Sequence, residues 1–172
     1  MTTASNAATR KTLLIVYHSH TGGTLQMAQA ACAGAQADSA VQVRLLHARD
    51  AQIDDVLQAD GYVFATPENL AAISGLMKDF FDRCYYGALE RIQGRPYASL
   101  VCAGSDGSNA ARQIACIASG WRLRAVAQPL IVCTHAQTPE AIAAPKHIAP
   151  SNLAECYALG AALASGLELG IF

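Results

Sequence analysis

Short apolar runs alternate with helical patterns along most of this chain, and that alternation restricts the fold more than any other feature. Strand-like runs lie at residues 13–17, 41–46, 61–65, 97–103 and 125–133. Between and after them, apolar residues recur at helical spacing, which predicts helices over about 23–36, 52–58, from 74 onward, 109–119 and 153–167. The third of these is the most amphipathic. Leu76, Met77, Phe80, Phe81 and Cys84 share one side, while Lys78, Asp79, Asp82 and Arg83 fall largely on the other. Gly120 is placed to end the fourth helix, and Ser151 or Asn152, after Pro150, to cap the fifth. Residues 135–149, with Pro139 and Pro145, read as a loop or lid. Strands and helices in this order form βαβ units, and right-handed crossovers then place helices on both faces of the sheet. The expected fold is α/β, a doubly wound parallel sheet of five strands.

Ligands of such sheets sit beyond the carboxyl ends of the strands, where the strand order reverses. Three loops follow strand ends here, at 19–24, 66–73 and 104–108, all rich in small, hydroxyl or turn-forming residues. In the first, Ser19, Thr21 and Thr24 offer hydroxyl donors, and Gly22 and Gly23 let the backbone close around an anion. The helix after this loop supplies oriented N–H groups. The loop holds no lysine or arginine, and the pattern G-x-x-x-x-G-K-S/T of a triphosphate site is absent. A phosphate monoester, held by several charge-assisted hydrogen bonds of about 1.5–3 kcal/mol each, is the ligand chemistry this predicts.

Composition narrows the rest. The chain has 172 residues, enough for one domain, which we place at 11–172 behind a polar segment, 1–10, expected to be flexible. Charged residues are only 15% and the net charge is −1, which argues against a nucleic-acid partner. No apolar stretch suits a signal peptide or a membrane span, so a cytoplasmic protein without membrane insertion is expected. Six cysteines stand singly in apolar segments, without metal-ligand spacing, as buried reduced thiols would. Cys116 and Arg122 have the spacing of a cysteine phosphatase loop, but Cys116 falls inside a helical pattern. His18 and His20 alternate as metal ligands would, with no third ligand nearby, and no metal is expected. Trp121 reads as packing a helix end onto the sheet. Tyr85 and Tyr86 could cover the site from a neighbouring subunit or simply pack, and His135 and His147, around the final loop, could border a ligand site but read better as solvated loop residues.

Three segments taken together resemble the flavodoxin-like superfamily, specifically its FMN-dependent NAD(P)H and quinone reductases. Residues 17–24, Tyr-His-Ser-His-Thr-Gly-Gly-Thr, resemble the FMN phosphate loop, usually Ser-x-Thr-Gly-x-Thr. Residues 59–69 and 73–83 resemble the second flavin loop and its helix, and 103–108 the third, glycine-rich loop. The likeness runs from Lys11 to about Leu167, and it implies the strand order 2-1-3-4-5 with FMN at the switch point. It further implies that Ser19, His20, Thr21, Gly22, Gly23 and Thr24 surround the phosphate. Pro67, Glu68, Asn69 and Leu70 would line the isoalloxazine edge, and Gly104, Ser105, Asp106 and Gly107 its pyrimidine side and the ribityl chain. No side chain is assigned as acid, base or nucleophile, because the chemistry is the flavin's.

The implied activity is an oxidoreductase that passes electrons from NADH or NADPH to a quinone, free flavin or similar small acceptor, as a homodimer or homotetramer. Two alternatives remain: a flavodoxin-type electron carrier, and a flavodoxin-like binding or structural protein without flavin chemistry. The carrier is disfavoured. Such proteins are strongly acidic and commonly flank the flavin with aromatic residues, whereas this chain is near neutral and reads Glu68-Asn69-Leu70-Ala71-Ala72 in its second loop.

Overall fold

The computed structural model describes residues 10–37 and 40–172; the expected flexible segment 1–10 lies, apart from Arg10, outside the described residues. In chain order the elements are β1 Thr12–Tyr17, α1 Gly23–Ala37, β2 Gln42–His47, α2 Ile53–Gln58, β3 Gly61–Asn69, β4 Ala72–Ile73 and α3 Gly75–Ala88. They continue with β5 Pro96–Ala103, α4 Ser108–Gly120, β6 Arg124–Ala125, β7 Leu130–Cys133, α5 Pro139–Ala143 and α6 Pro150–Glu168. The sheet runs β2-β1-β3-β5-β6, with β7 also on β5 and β4 on β3. All pairings are parallel except β3 with β4.

The parallel order is the expected one, with two differences. The last expected strand, 125–133, is broken into β6 and β7, both beside β5. Pro129 lies in the break and has no N–H to give to a ladder. A short antiparallel strand, β4, is added after β3. Two helix ends also differ from expectation. Helix α6 starts at Pro150, which occupies its first turn, where a fixed φ and a missing N–H cost nothing; Ala149 is the cap residue, and neither Ser151 nor Asn152 caps it. Helix α4 does end at Gly120, but the left-handed residue beyond it is Arg122, at φ 55°, and not the glycine. The segment 135–149 holds α5, with Thr138 capping the N–H of Ala141 and Pro139 in the first turn.

Strand alternation divides the interior into two layers. Leu14, Val16, Tyr62, Phe64 and Val101 face α2, α3 and α4, and Leu13, Ile15, Val63, Ala65 and Leu100 face α1 and α6. The first layer is aromatic. Phe64 meets Tyr62, Phe80, Phe81, Tyr97 and Trp121 at centroid distances of 4.9–6.4 Å, so Trp121 does pack a helix end onto the sheet. The second layer is built of small residues and lets two helices meet backbone to backbone: a Cβ at Gly34 would overlap the carbonyl of Tyr157, and one at Gly160 that of Ala31. Helix α3 is amphipathic as its sequence predicts, though α4 and not α3 is the more strongly so. Met77, Phe80, Phe81 and Cys84 are buried, Ser74 caps the helix, and Lys78–Asp82 and Asp79–Arg83 pair on the outside. Among the described residues no helix is long and apolar enough to cross a membrane.

Candidate functional site at the carboxyl edge of the sheet

The loops after β1, β3 and β5 meet at one edge of the sheet and enclose a cleft of about 670 Å³, within the usual range for a small-molecule site. Of the residues singled out in the sequence, Ser19, His20, Thr21, Gly23, Thr24, Pro67, Glu68, Asn69, Leu70, Gly104, Ser105 and Asp106 line it. Gly22 and Gly107 do not. Gly22 turns the first loop at φ 86°, giving its N–H to Ser19 Oγ at 3.1 Å. Gly107 sits against the sheet, where a Cβ would meet Ile131 and Ala103.

The first loop is arranged as an anion cradle. The bond from Gln26 N–H to the Gly22 carbonyl opens the ladder of α1, so the N–H groups of Gly23, Thr24 and Leu25 precede it. Ser19 Oγ accepts from Gly22, which leaves its own proton to donate outward. Thr24 is 1% exposed, and its Oγ finds no nitrogen or oxygen partner; only the Cys102 thiol lies beside it. A buried hydroxyl in that state is costly unless a ligand completes it. Gly23 keeps the cradle open, since a Cβ there would come 2.6 Å from Cys102 Sγ and 3.3 Å from Lys146 Cβ.

Behind the cradle stand three histidines. His18 gives its backbone N–H to Ala65 O at 3.0 Å, and its ring lies edge-on to His20 at 4.6 Å and to His47 at 5.5 Å. Burial first, and then His20, His47 and Arg49, push its pKa down to about 4, so the ring is neutral near pH 7. Among the described residues no group of three His, Cys, Asp or Glu could hold a metal ion.

The second loop is a hairpin. β3 continues through Asn69, turns at Leu70 and Ala71, and returns along β4, pairing Glu68 with Ile73 and Asn69 with Ala72. Leu70 and Ala71 both have positive φ, 50° and 56°, as in the tight turns that usually carry Asn or Gly. The hairpin leans on α4: Gln113 Oε1 accepts from Ile73 N–H at 3.0 Å, and Asn109 Nδ2 donates to Ala71 O. Leu70 at the tip is fully exposed. In the third loop, Asp106 accepts from the Ser108 hydroxyl and, through its carbonyl, from the Cys133 thiol at 3.5 Å.

A fourth segment completes the cleft. Thr134, Ala136, Gln137, Ile142 and Lys146 line it, with Cys102 between them and the cradle. Thr138-Pro139 is the sequence signal that marks α5, a capping residue followed by a proline at the first helical position. Nothing local announces that its helix turns back over the site. Burial raises the Cys102 thiol above its usual pKa, which keeps it protonated and unreactive.

The other singled-out residues lie elsewhere. His135 and His147 are exposed and do not line the cleft. Against the expectation that the cysteines are buried, Cys116 lies exposed within α4 and Cys133 is half-buried at the end of β7, the other four being buried. Tyr85 and Tyr86 stand edge-to-face at 5.1 Å, exposed near the end of α3. Among the described residues no Phe, Tyr or Trp lines the cleft.

Comparisons with known proteins bear on this site. A protein of Aquifex aeolicus named flavodoxin is 34% identical over 107 residues, 61% of this chain and 56% of that protein. One of Acidithiobacillus ferrooxidans named NAD(P)H dehydrogenase (quinone) is 32% identical over 91 residues, 41% of this chain and 46% of that protein. The matches thus span about half the length of these relatives. Among solved structures, a flavodoxin from the domain Archaea superposes with a TM-score of 0.74 at 20% identity, covering 91% of this chain and 98% of that one, which supports the flavodoxin-like fold. Residues 47–137, more than half of the chain and including the second and third loops, match one described family, and the chain therefore belongs to the NADPH-dependent FMN reductases.

Proposed function

We propose that the cleft binds FMN and that the protein is an oxidoreductase carrying electrons from NADH or NADPH to a quinone, free flavin or similar small acceptor, residues 11–172 acting as one domain. The observation that carries this reading is the buried, unpartnered hydroxyl of Thr24 at the mouth of α1. It stands with Ser19, Thr21 and the first N–H groups of the helix as a donor set whose own loop holds no cation, and Lys146, which also lines the cleft, gives its ammonium to carbonyls of residues 141–144. Such a set suits a phosphate monoester. In this reading Ser19 to Thr24 hold the phosphate, Pro67, Glu68, Asn69 and Leu70 border the ring, and Gly104 to Gly107 border its pyrimidine side and the ribityl chain.

When bound, FMN supplies hydride acceptance and delivery of electrons to the acceptor. The chain's own residues orient and shield. Neutral His18 underlies the cradle without adding charge. The cleft is lined by Leu70 of the hairpin and Ile142 of α5, with no Phe, Tyr or Trp among the described residues, which suits a ring face that admits nicotinamide and acceptor in turn. The carrier reading draws on the Aquifex relative, and the near-neutral charge opposes it, since docking by electrostatic steering needs a charged face.

Titrating the purified protein with FMN tests both readings. A stoichiometric change in the flavin spectrum is expected, followed by rapid anaerobic bleaching on addition of NADPH or NADH. If FMN produces no shift, the reductase and the carrier both fail, and a binding module without flavin chemistry is left. If FMN binds and neither nicotinamide bleaches it, the carrier stands.

A further inference from the structure

Residues 137–146 are tied to the first loop by bonds that no loop connection requires. Lys146 N–H donates to Thr21 O at 2.7 Å. The Gln26 amide donates to the Gly22 carbonyl at 3.0 Å and to the Lys146 carbonyl at 2.6 Å, while its Oε1 accepts from Ile148 N–H at 3.2 Å. One side chain of α1 thus bridges the cradle and a segment 120 residues away. Lys146 also folds its ammonium back onto the carbonyls of Ala141, Ile142 and Ala144, at 2.6–2.8 Å, which closes the end of α5. Ile148, just beyond, is buried in the layer of α1 and α6.

The consequence is an asymmetry in how the cleft is rimmed. The hairpin with Leu70 is anchored on α4, in one helical layer, and the segment with Ile142 is anchored on α1, in the other. Leu70 and Ile142 are both exposed aliphatic residues lining the cleft.

We infer that Gln26 and Lys146 latch residues 137–146 in place as a fourth wall of the flavin site, with Gln26 positioning the phosphate loop and Ile142 covering the ring system. This rests on the FMN reading above. Gln26 acts through the carbonyls of Gly22 and Lys146 and does not line the cleft itself, so it is a positioning residue. The wall links the two ends of the ligand: a bound phosphate steadies the loop that holds Lys146, and Lys146 steadies the helix that carries Ile142.

Two measurements separate this from a packing role. Trypsin cleavage after Lys146 should be slowed by FMN about tenfold or more in the wild type and should speed up in Gln26→Leu without ligand, since cleavage follows local opening. FMN and riboflavin affinities should then diverge among variants. Gln26→Leu should weaken FMN by about tenfold, the worth of one net hydrogen bond, and riboflavin by no more than Ile142→Ala does, since riboflavin loses the cover but has no phosphate for the loop to hold. Gln26→Glu should be at least as damaging, because a carboxylate cannot donate to two carbonyls, whereas a residue that merely fills space would tolerate it. Ile142→Ala should weaken both ligands equally.

If FMN binds the wild type and the Gln26 variants match it in affinity and in cleavage, the latch is overturned while the FMN reading stands. Equal affinity of Ile142→Ala and wild type overturns the cover. If the wild type binds no FMN, the flavin reading and the cover fail together, and cleavage of the ligand-free proteins alone decides the latch.

Discussion

The two ends of the cleft are built on opposite plans. At the cradle, three separate segments converge on a few carbonyls: Gln26 and Lys146 hold Gly22 and Thr21, and His18 is sewn to β3 through Ala65. At the hairpin, two residues in the left-handed region present a fully exposed leucine, held from below by two side chains of α4. Each such residue costs on the order of 1–3 kcal/mol, a strain that survives only where surroundings enforce it. The contrast separates grip from access. In the function proposed above, the phosphate would be the same in every turnover and reward a fixed set of donors, while admitting two flat partners in turn would need one edge without a fixed side-chain contact.

Acid should disturb this contrast most strongly, and at the cradle end. An unfolded imidazole titrates near 6.5, whereas folded His18 titrates near 4. Between those values the unfolded chain binds the extra proton, so the contribution is complete above pH 6.5 and is lost as pH falls through 4. Urea denaturation across this window should show a loss of up to about 3 kcal/mol that His18→Gln abolishes.

The next effect probes the cradle from the ligand's side. Thr21→Val combined with Thr24→Val should weaken FMN by at least about 2 kcal/mol in a fluorescence titration. Thermal denaturation without ligand should show no loss from Thr24→Val alone, because the hydroxyl removed has no nitrogen or oxygen partner. Unchanged affinity would remove the first loop from the site.

At the hairpin the sign reverses. Leu70→Asn with Ala71→Gly should raise stability by about 1 kcal/mol, as residues suited to positive φ replace ones that are not. Its effect on FMN affinity should be smaller than that of the threonine pair. Smallest of all, Asp82→Asn on the outer face of α3 should change stability by less than about 0.5 kcal/mol, since its pair with Lys78 is solvent-exposed and touches neither end.

The parallel sheet was legible because its central strands are buried on both faces and read as unbroken apolar runs, as in Leu13–Val16 and Tyr62–Ala65. The three loops were legible for the same reason, since each begins where such a run ends. The hairpin was not. Leu70-Ala71 carries none of the Asn or Gly that announces such a turn, and its supports, Asn109 and Gln113, lie 38 and 40 residues further along. Lys146 was hidden in the same way. The first loop contains no cation, and the lysine beside it arrives from a proline-containing stretch that reads as a loop or lid, with nothing in it to say which strand end it meets. The start of α6 was misplaced because two good capping residues come after Pro150, and the helix uses the proline instead.

Gly34 and Gly160 also constrain how this fold can vary. Where helices touch through side chains, a larger residue on one can be absorbed by a rotamer change on the other. Here each glycine faces a carbonyl of the opposite helix, and a carbonyl cannot step aside without moving its whole turn. At these two points the spacing of α1 and α6 is therefore set by main chain, like two gears cut to mesh. Variation among relatives should leave these two positions small, or widen the gap along the full length of both helices at once, carrying with it the end of α1 from which the first loop springs.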